Sequence, residues 1–183
     1  MMKEVFVFLA EGFEEIEAVA TIDVIRRGEI KVTIVSISDD YVVKGAHDIS
    51  VKADRLFSET DFSAGDLLVL PGGMPGAANL NKHTGLKDLL IAYAGSGKKI
   101  AAICAAPLVL GGLGLLEGKN ATAYPGFEAT LTGAQFLKNG VVIDGDIITG
   151  RGPGFAVDFG LAIVSQLSGQ EKADEVARGM LIK

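Results

Sequence analysis

The chain has no tryptophan, one cysteine, two histidines and five prolines among 183 residues. A single cysteine excludes an intramolecular disulfide framework and points to a reducing, cytoplasmic setting. Two histidines and one cysteine, far apart in sequence, give no metal-ligand spacing. No metal or other cofactor is expected. No apolar run reaches the ~18 residues of a membrane span, and the opening "MMKEVFVFLAEGFEE" is too short and too acidic for a secretory signal. Basic charge is also scarce: 17 Lys and Arg against 23 Asp and Glu, a net charge of -6, with the cations scattered. That argues against nucleic acid as a partner, since phosphate binding needs clustered Lys and Arg. There is no Gly-Lys-Ser/Thr loop, and Gly112-Leu113-Gly114 sits in a helical stretch rather than a strand-turn-helix, so neither common nucleotide signature is present.

What is present is an apolar content of 49% with 24 glycines. A chain of this length suits one globular domain over residues 1–183, one that hides roughly 70% of its extended surface. "EVFVFLA" (4–10) reads as a buried strand. "EEIEAVATIDVIRRG" places Ile16, Val19, Ile22 and Ile25 at helical spacing, with Gly28 as the stop. Further strands are expected at 31–37, 66–70 and 98–103. Helices are expected near 84–95, 105–116, 154–167 and 170–180. "YVVKGAHDISVKA" reads as a hairpin turning near 45–48, and "NGVVIDGDIIT" holds Asn-Gly and Asp-Gly pairs, both hairpin-turn signals. Strands alternating with helices predict an α/β fold, a mostly parallel sheet with helices on both faces.

In such sheets, sites form beyond the carboxyl ends of the strands. Segments 11–17, 71–76, 104–107 and 151–154 all fall there. Cys104, in "KKIAAICAAPLVLGG", lies where a strand becomes a helix with almost no loop. Such a turn strains the backbone and faces the sulfur toward the following helix's positive end, which favours thiolate. A lone cysteine is also commonly a small buried hydrophobe, and position alone leaves both readings open. Gly72 and Gly73, lacking Cβ atoms, let backbone N–H groups approach a ligand or oxyanion, or merely end a strand. Glu14, Glu15 and Glu17 at the first helix's start read mainly as solvated charges that suit the helix dipole.

Four segments together, "LAEGFEEIEAV", "VLPGGMPGAANL", "IAAICAAP" and "GRGPGFAVDFGLAIV", resemble the ThiJ/PfpI superfamily, and its ThiJ branch most. The resemblance spans residues 3 to 181. It implies a flavodoxin-like three-layer sandwich, a homodimer, and a reactive cysteine, Cys104, on a nucleophile elbow. The family's nearby acid falls on Glu17, protonated and hydrogen-bonded to a thiolate of lowered pKa, and also able to hold a sulfinate. The oxyanion-type amides fall on Gly73 and Ala105, with Gly72 adjoining. In two places the chain departs from family patterns. Ala105 stands where the protease-like branch has its base histidine, and Tyr124, in "ATAYPGF", stands where the ThiJ branch often has a histidine. Tyrosine, with a reference pKa near 10, is a poor base at neutral pH. His47 lies in the hairpin that packs at the family's dimer interface, so it is a candidate to reach a partner's Cys104 pocket. Arg27 and Arg151 match family arginines that pair with acids, and His83 reads as a solvated helix start.

The resemblance implies a cofactor-independent thiol enzyme acting on small reactive carbonyls, or on protein adducts they leave, in carbonyl or oxidative stress: a glyoxalase or deglycase. Two alternatives are a non-catalytic peroxide-sensing thiol or redox chaperone, and an intracellular cysteine peptidase. Ala105 and Tyr124 count against the last.

Overall fold

The apolar run 4–10 forms β1 (Glu4–Leu9), buried along nearly its whole length. α1 (Glu15–Arg27) follows, then β2 (Lys31–Ser36) and the short strands β3 (Val42–Lys44), β4 (Ser50–Lys52) and β5 (Arg55–Leu56). β6 (Leu67–Leu70) leads into α2 (Gly76–Lys82) and α3 (Thr84–Gly95), then β7 (Lys99–Ile103) and α4 (Pro107–Gly112). The chain ends with β8 (Asn120–Ala121), β9 (Gln135–Phe136), β10 (Val141–Asp144), β11 (Ile147–Gly150), α5 (Ala156–Ser168) and α6 (Gln170–Gly179). The structure is a computed structural model, and residues 3–182 are described.

Seven strands form one sheet in the order β10-β11-β7-β6-β1-β2-β5, and only β10 runs antiparallel to its neighbour. β6, β7 and β11 are buried at all or nearly all positions, as strands covered on both faces must be. From β1 the chain steps one way to β2 through α1, and from β6 the other way to β7 through α2 and α3. With right-handed crossovers, opposite steps put the helices on opposite faces. α1, α5 and α6 pack as one group and α2 with α3 and α4 as another. The arrangement is the α/β sheet that the strand–helix alternation predicted, in the flavodoxin-like sandwich that the family resemblance implied. The carboxyl ends of β11, β7, β6 and β1 lie side by side, with the topological switch point between β6 and β1, so all four candidate segments share one rim.

Several local expectations are corrected. Ile16 and Val19 are 58% and 48% exposed, and the buried face of α1 is Ala18, Thr21, Ile22, Val24 and Ile25. α5 decides this: a Cβ on Gly160 would lie 2.8 Å from the Cβ of Val24, so α5 presses on that side of α1. The glycine-flexed helix at 105–116 is only α4, one and a half turns starting at Pro107, whose absent N–H is not needed at a first helical position. Asp144-Gly145 makes the β10–β11 turn, with Gly145 at φ +63°, whereas Asn139-Gly140 only enters β10. Sequence periodicity did not show α2, β5 or the β8–β9 pair, all too short to carry a period.

Candidate active site

Cys104 follows β7 directly and adopts φ +65°, a left-handed backbone that costs a non-glycine residue about 1–2 kcal/mol. Two bonds hold it there: Cys104 N donates to Gly150 O, and Tyr124 N donates to Cys104 O, both at 2.9 Å. The side chain thus stands at the rim, with the residue 8% exposed.

The loop after β6 supplies the next wall. Gly73 sits at φ +89°, and a Cβ there would lie 2.4 Å from Glu14 N. Only glycine fits, and its amide is brought to the sulfur. A Cβ on Gly72 would lie 2.6 Å from Cys104 Cβ and 2.7 Å from Glu17 Oε2. Thiol and carboxyl therefore flank the same point, held close because Gly72 has no side chain.

Glu17 is fully buried. Gly72 N donates to its Oε2 at 2.8 Å, while Oε1 has no hydrogen-bond partner among the described residues. Burial pushes the Glu17 carboxyl up to about 7, and the Glu14 charge adds to the rise, against the lowering effect of the Cys104 thiol and the Gly72 amide. The carboxyl is therefore half-protonated near neutrality, in the direction the family resemblance implied. The thiol moves the opposite way from expectation. Burial, then the charge and hydrogen bonding of Glu17, push Cys104 up to about 12, while the Gly73 and Ala105 amides act on the sulfur in the opposite sense. The two groups behave as one coupled pair, losing a first proton near 7 and a second only near 12. Two charges cannot stay that close in a desolvated site, so the pair carries one negative charge through the neutral range.

The acids around Glu17 are not solvated helix-start charges. Glu14 and Glu15 are 9% and 6% exposed. Glu14 caps α1, its Oε2 accepting from Glu17 N at 2.7 Å, which fixes the first turn that aims Glu17 inward. Glu15 anchors the β3–β4 hairpin: Oε1 accepts from His47 N at 2.7 Å, and Oε2 lies 2.9 Å from His47 Nδ1. Burial pushes Glu15 up, but its bonds to His47 and the nearby backbone outweigh that and leave it lowered; His47, held by Glu15, is raised. Glu14, Glu15 and His47 bring potential metal ligands within 4.8 Å of one another, a grouping invisible in sequence because His47 arrives on a hairpin. Glu15 and His47 already satisfy each other there.

The other expected residues fall out as follows. Ala105 adjoins Cys104, buried, and offers only its amide. Tyr124 meets Cys104 through its backbone, its ring 45% exposed. Neither histidine is among the groups acting on the thiol. His83 caps α3, its Nδ1 accepting from Leu86 N at 2.9 Å, and packs on Phe57, so it is half-buried rather than solvated. Arg27 pairs with Asp23 at 2.7 Å, but Arg151 donates to the Lys138 carbonyl at 2.6 Å and has no carboxylate partner among the described residues. Among those residues, no helix is long and apolar enough to cross a membrane.

The description "DJ-1/PfpI family" matches residues 3–166. The chain belongs to the DJ-1/PfpI family. It is 44% identical over 184 residues to protein DJ-1 homolog A of Arabidopsis thaliana, a match covering 99% of this chain but 47% of that relative. The chain thus spans about half the length of that plant protein. The crystal structure of Drosophila melanogaster DJ-1beta superimposes with a TM-score of 0.96 at 39% identity, covering both chains fully. A Caenorhabditis elegans relative named glutathione-independent glyoxalase DJR-1.2 is 33% identical, over 94% of this chain and 92% of its own. The four segments that carried the resemblance supply the Cys104 turn, Glu17, the Gly72-Gly73 loop and the strand end that holds Cys104 N.

Proposed function

We propose that this DJ-1/PfpI protein is a cofactor-independent thiol enzyme that converts small 2-oxoaldehydes such as methylglyoxal to 2-hydroxy acids. The single observation carrying this is the buried Cys104–Glu17 pair, one nucleophile and one acid–base group sharing a proton near neutrality. The glyoxalase name of the Caenorhabditis elegans relative supports it. Cys104 thiolate adds to the aldehyde carbon, and the new oxyanion is received by the Gly73 and Ala105 amides. Glu17, protonated while Cys104 is thiolate, first gives its proton to that oxyanion. As a carboxylate it then takes the proton from the same aldehyde carbon and returns it to the neighbouring carbon, while the hydroxyl proton passes to the second carbonyl oxygen and makes it a hydroxyl. A thioester results. Water hydrolyses it, releasing the 2-hydroxy acid and restoring the thiolate; the net change is the addition of one water. No step needs a histidine, which fits Ala105 and Tyr124 and disfavours the peptidase reading. The cellular setting is then carbonyl or oxidative stress in the cytoplasm. The test is production of lactate from methylglyoxal without glutathione, in chelator, and its loss after iodoacetamide blocks Cys104. No lactate from the unblocked protein would end the proposal.

The unpartnered Glu17 Oε1 beside the sulfur favours one second reading. Peroxide could supply two oxygen atoms to the thiolate, each leaving one water, and protonated Glu17 would donate to the sulfinate. Rapid oxidation with no glyoxal turnover selects it.

The assembly we propose is a homodimer. Ile16 and Val19 on α1 and Ile49 on the hairpin are 58%, 48% and 59% exposed, and Glu15 bonding brings Ile49 beside the start of α1. A second copy covering these residues would surround His47. Sedimentation is expected to give a dimer, and His47→Ala is expected to shift the pH midpoint of Cys104 alkylation. A monomer ends the dimer reading, and an unmoved midpoint ends the role of His47 at the partner's site.

A further inference from the structure

One cleft beside the catalytic turn has no part in the chemistry above. It is open-sided, about 230 Å³, and walled by Tyr124, Pro125 and residues 151–155. Its exposed lining is almost all carbon. The Arg151 guanidinium is turned to the Lys138 carbonyl. The Tyr124 hydroxyl has no protein partner among the described residues, so the ring is a wall and no network depends on its oxygen. Phe155 stands 38% exposed across from it, braced on its other side, since a Cβ on Gly140 would lie 2.3 Å from the Phe155 ring.

The position of the cleft matters as much as its chemistry. Its two walls come from the two segments that grip the Cys104 backbone. Tyr124 N holds Cys104 O, and Gly150, which accepts from Cys104 N, is followed directly by Arg151 and Gly152. A Cβ on Gly152 would lie 3.1 Å from Tyr124 Cδ2, so the two walls touch at the base of the cleft. Whatever occupies it therefore sits beside the nucleophile's own peptide units. An apolar cavity of about 150 Å³ suffices for benzene, so this one has room for an aryl ring.

We infer that this cleft is a binding subsite for an apolar or aryl substituent on the carbonyl compound attacked by Cys104, with the Tyr124 and Phe155 rings as its specificity-determining walls. The inference rests on the proposed reaction for its substrate, and it extends it: the preferred substrate is a 2-oxoaldehyde bearing a ring or branched alkyl group rather than methylglyoxal. Tyr124 thus acts as a recognition surface. A ring pair that encloses an aryl group adds attraction beyond area burial, and burying the ring carbons adds more.

Two measurements test it. In initial rates, kcat/KM for phenylglyoxal is expected to exceed that for methylglyoxal at least tenfold. Tyr124→Ala and, independently, Phe155→Ala are expected to cut that ratio about tenfold, while Tyr124→Phe keeps it. Separately, mandelate is expected to protect Cys104 from iodoacetamide at concentrations at least tenfold below lactate. If both glyoxals turn over with equal kcat/KM and mandelate protects no better than lactate, the subsite is wrong and the reaction stands. If neither turns over yet mandelate keeps its advantage, the subsite stands and the reaction falls. Loss of the ratio in Tyr124→Phe overturns the role of the ring in favour of the hydroxyl.

Discussion

Glu17→Gln is expected to stabilise the protein above pH 7 while lowering glyoxal turnover about 10²–10⁴-fold, the range for a lost general acid–base group. The two effects share one cause. The folded chain holds the Glu17 proton up to about 7, whereas an unfolded chain releases it near 4.5. Between those values the native state binds the extra proton, so stability falls as pH rises through the window, and the deficit is complete above 7. At ~1.4 kcal/mol per pH unit it is on the order of 3 kcal/mol. Glutamine keeps an oxygen for Gly72 N–H and carries no charge, so the deficit disappears. At roughly 2–4 °C per kcal/mol for a chain of this size, melting near pH 8 rises by several degrees, and melting near pH 4 does not move. The Cys104 thiol, pushed up to about 12 in wild type by burial and then by Glu17, moves down in the variant, since it loses its anionic neighbour, and the alkylation midpoint falls with it. Cys104→Ser serves as the reference: turnover is lost, but the fall in stability between pH 4.5 and 7 remains because Glu17 is still buried. A Glu17→Gln protein no more stable at pH 8 than wild type would contradict the coupled pair; one with undiminished turnover would remove Glu17 from the reaction.

Much of this geometry was legible in the chain because it depends on backbone punctuation. β1, β6 and β7 are apolar runs ended abruptly by Glu11-Gly12, Pro71-Gly72-Gly73 and Cys104, and an alternating α/β order places those ends on one rim. Side-chain environment was less legible. Helical spacing identified α1 and two of its buried residues, Ile22 and Ile25, but put Ile16 and Val19 on the same apolar stripe, because periodicity cannot show where α5 will press. The same spacing left Glu14, Glu15 and Glu17 as surface charges. Their burial follows from partners 32 and 55 residues away, the hairpin for Glu15 and Gly72 for Glu17. The thiol's direction of shift was misread for a related reason. A helix start and two amides favour thiolate, but burial of the sulfur, and after it the charge and hydrogen bonding of Glu17, oppose it more strongly. The Tyr124 cleft was missed because it is made of ordinary loop residues that only the fold brings together.

Gly72→Ala is expected to cost about 1–3 kcal/mol of stability, the usual range for overpacking, and to cut glyoxal turnover about 10²-fold, as ~1 Å misplacement of reacting groups does. Gly72, unlike Gly73, has no left-handed backbone, so the substitution tests space alone. The added methyl would lie 2.6 Å from Cys104 Cβ, 2.7 Å from Glu17 Oε2 and 2.8 Å from Ile103 O. Neither the strained Cys104 turn nor the β7 end can retreat, because Cys104 N and O are both held, so the yielding partner is the Glu17 side chain. Its displacement breaks the Gly72 amide bond and separates carboxyl from thiol. The coupling then weakens: Cys104 loses its charged neighbour and falls back from about 12, so the alkylation profile moves down toward the ordinary thiol range. Gly95→Ala, where a methyl at the end of α3 meets nothing within 4 Å, is the matched control: it leaves turnover and profile unchanged and does not lower stability. A Gly72→Ala protein that folds normally and keeps wild-type turnover would mean that the reaction does not depend on Glu17 and Cys104 flanking that glycine.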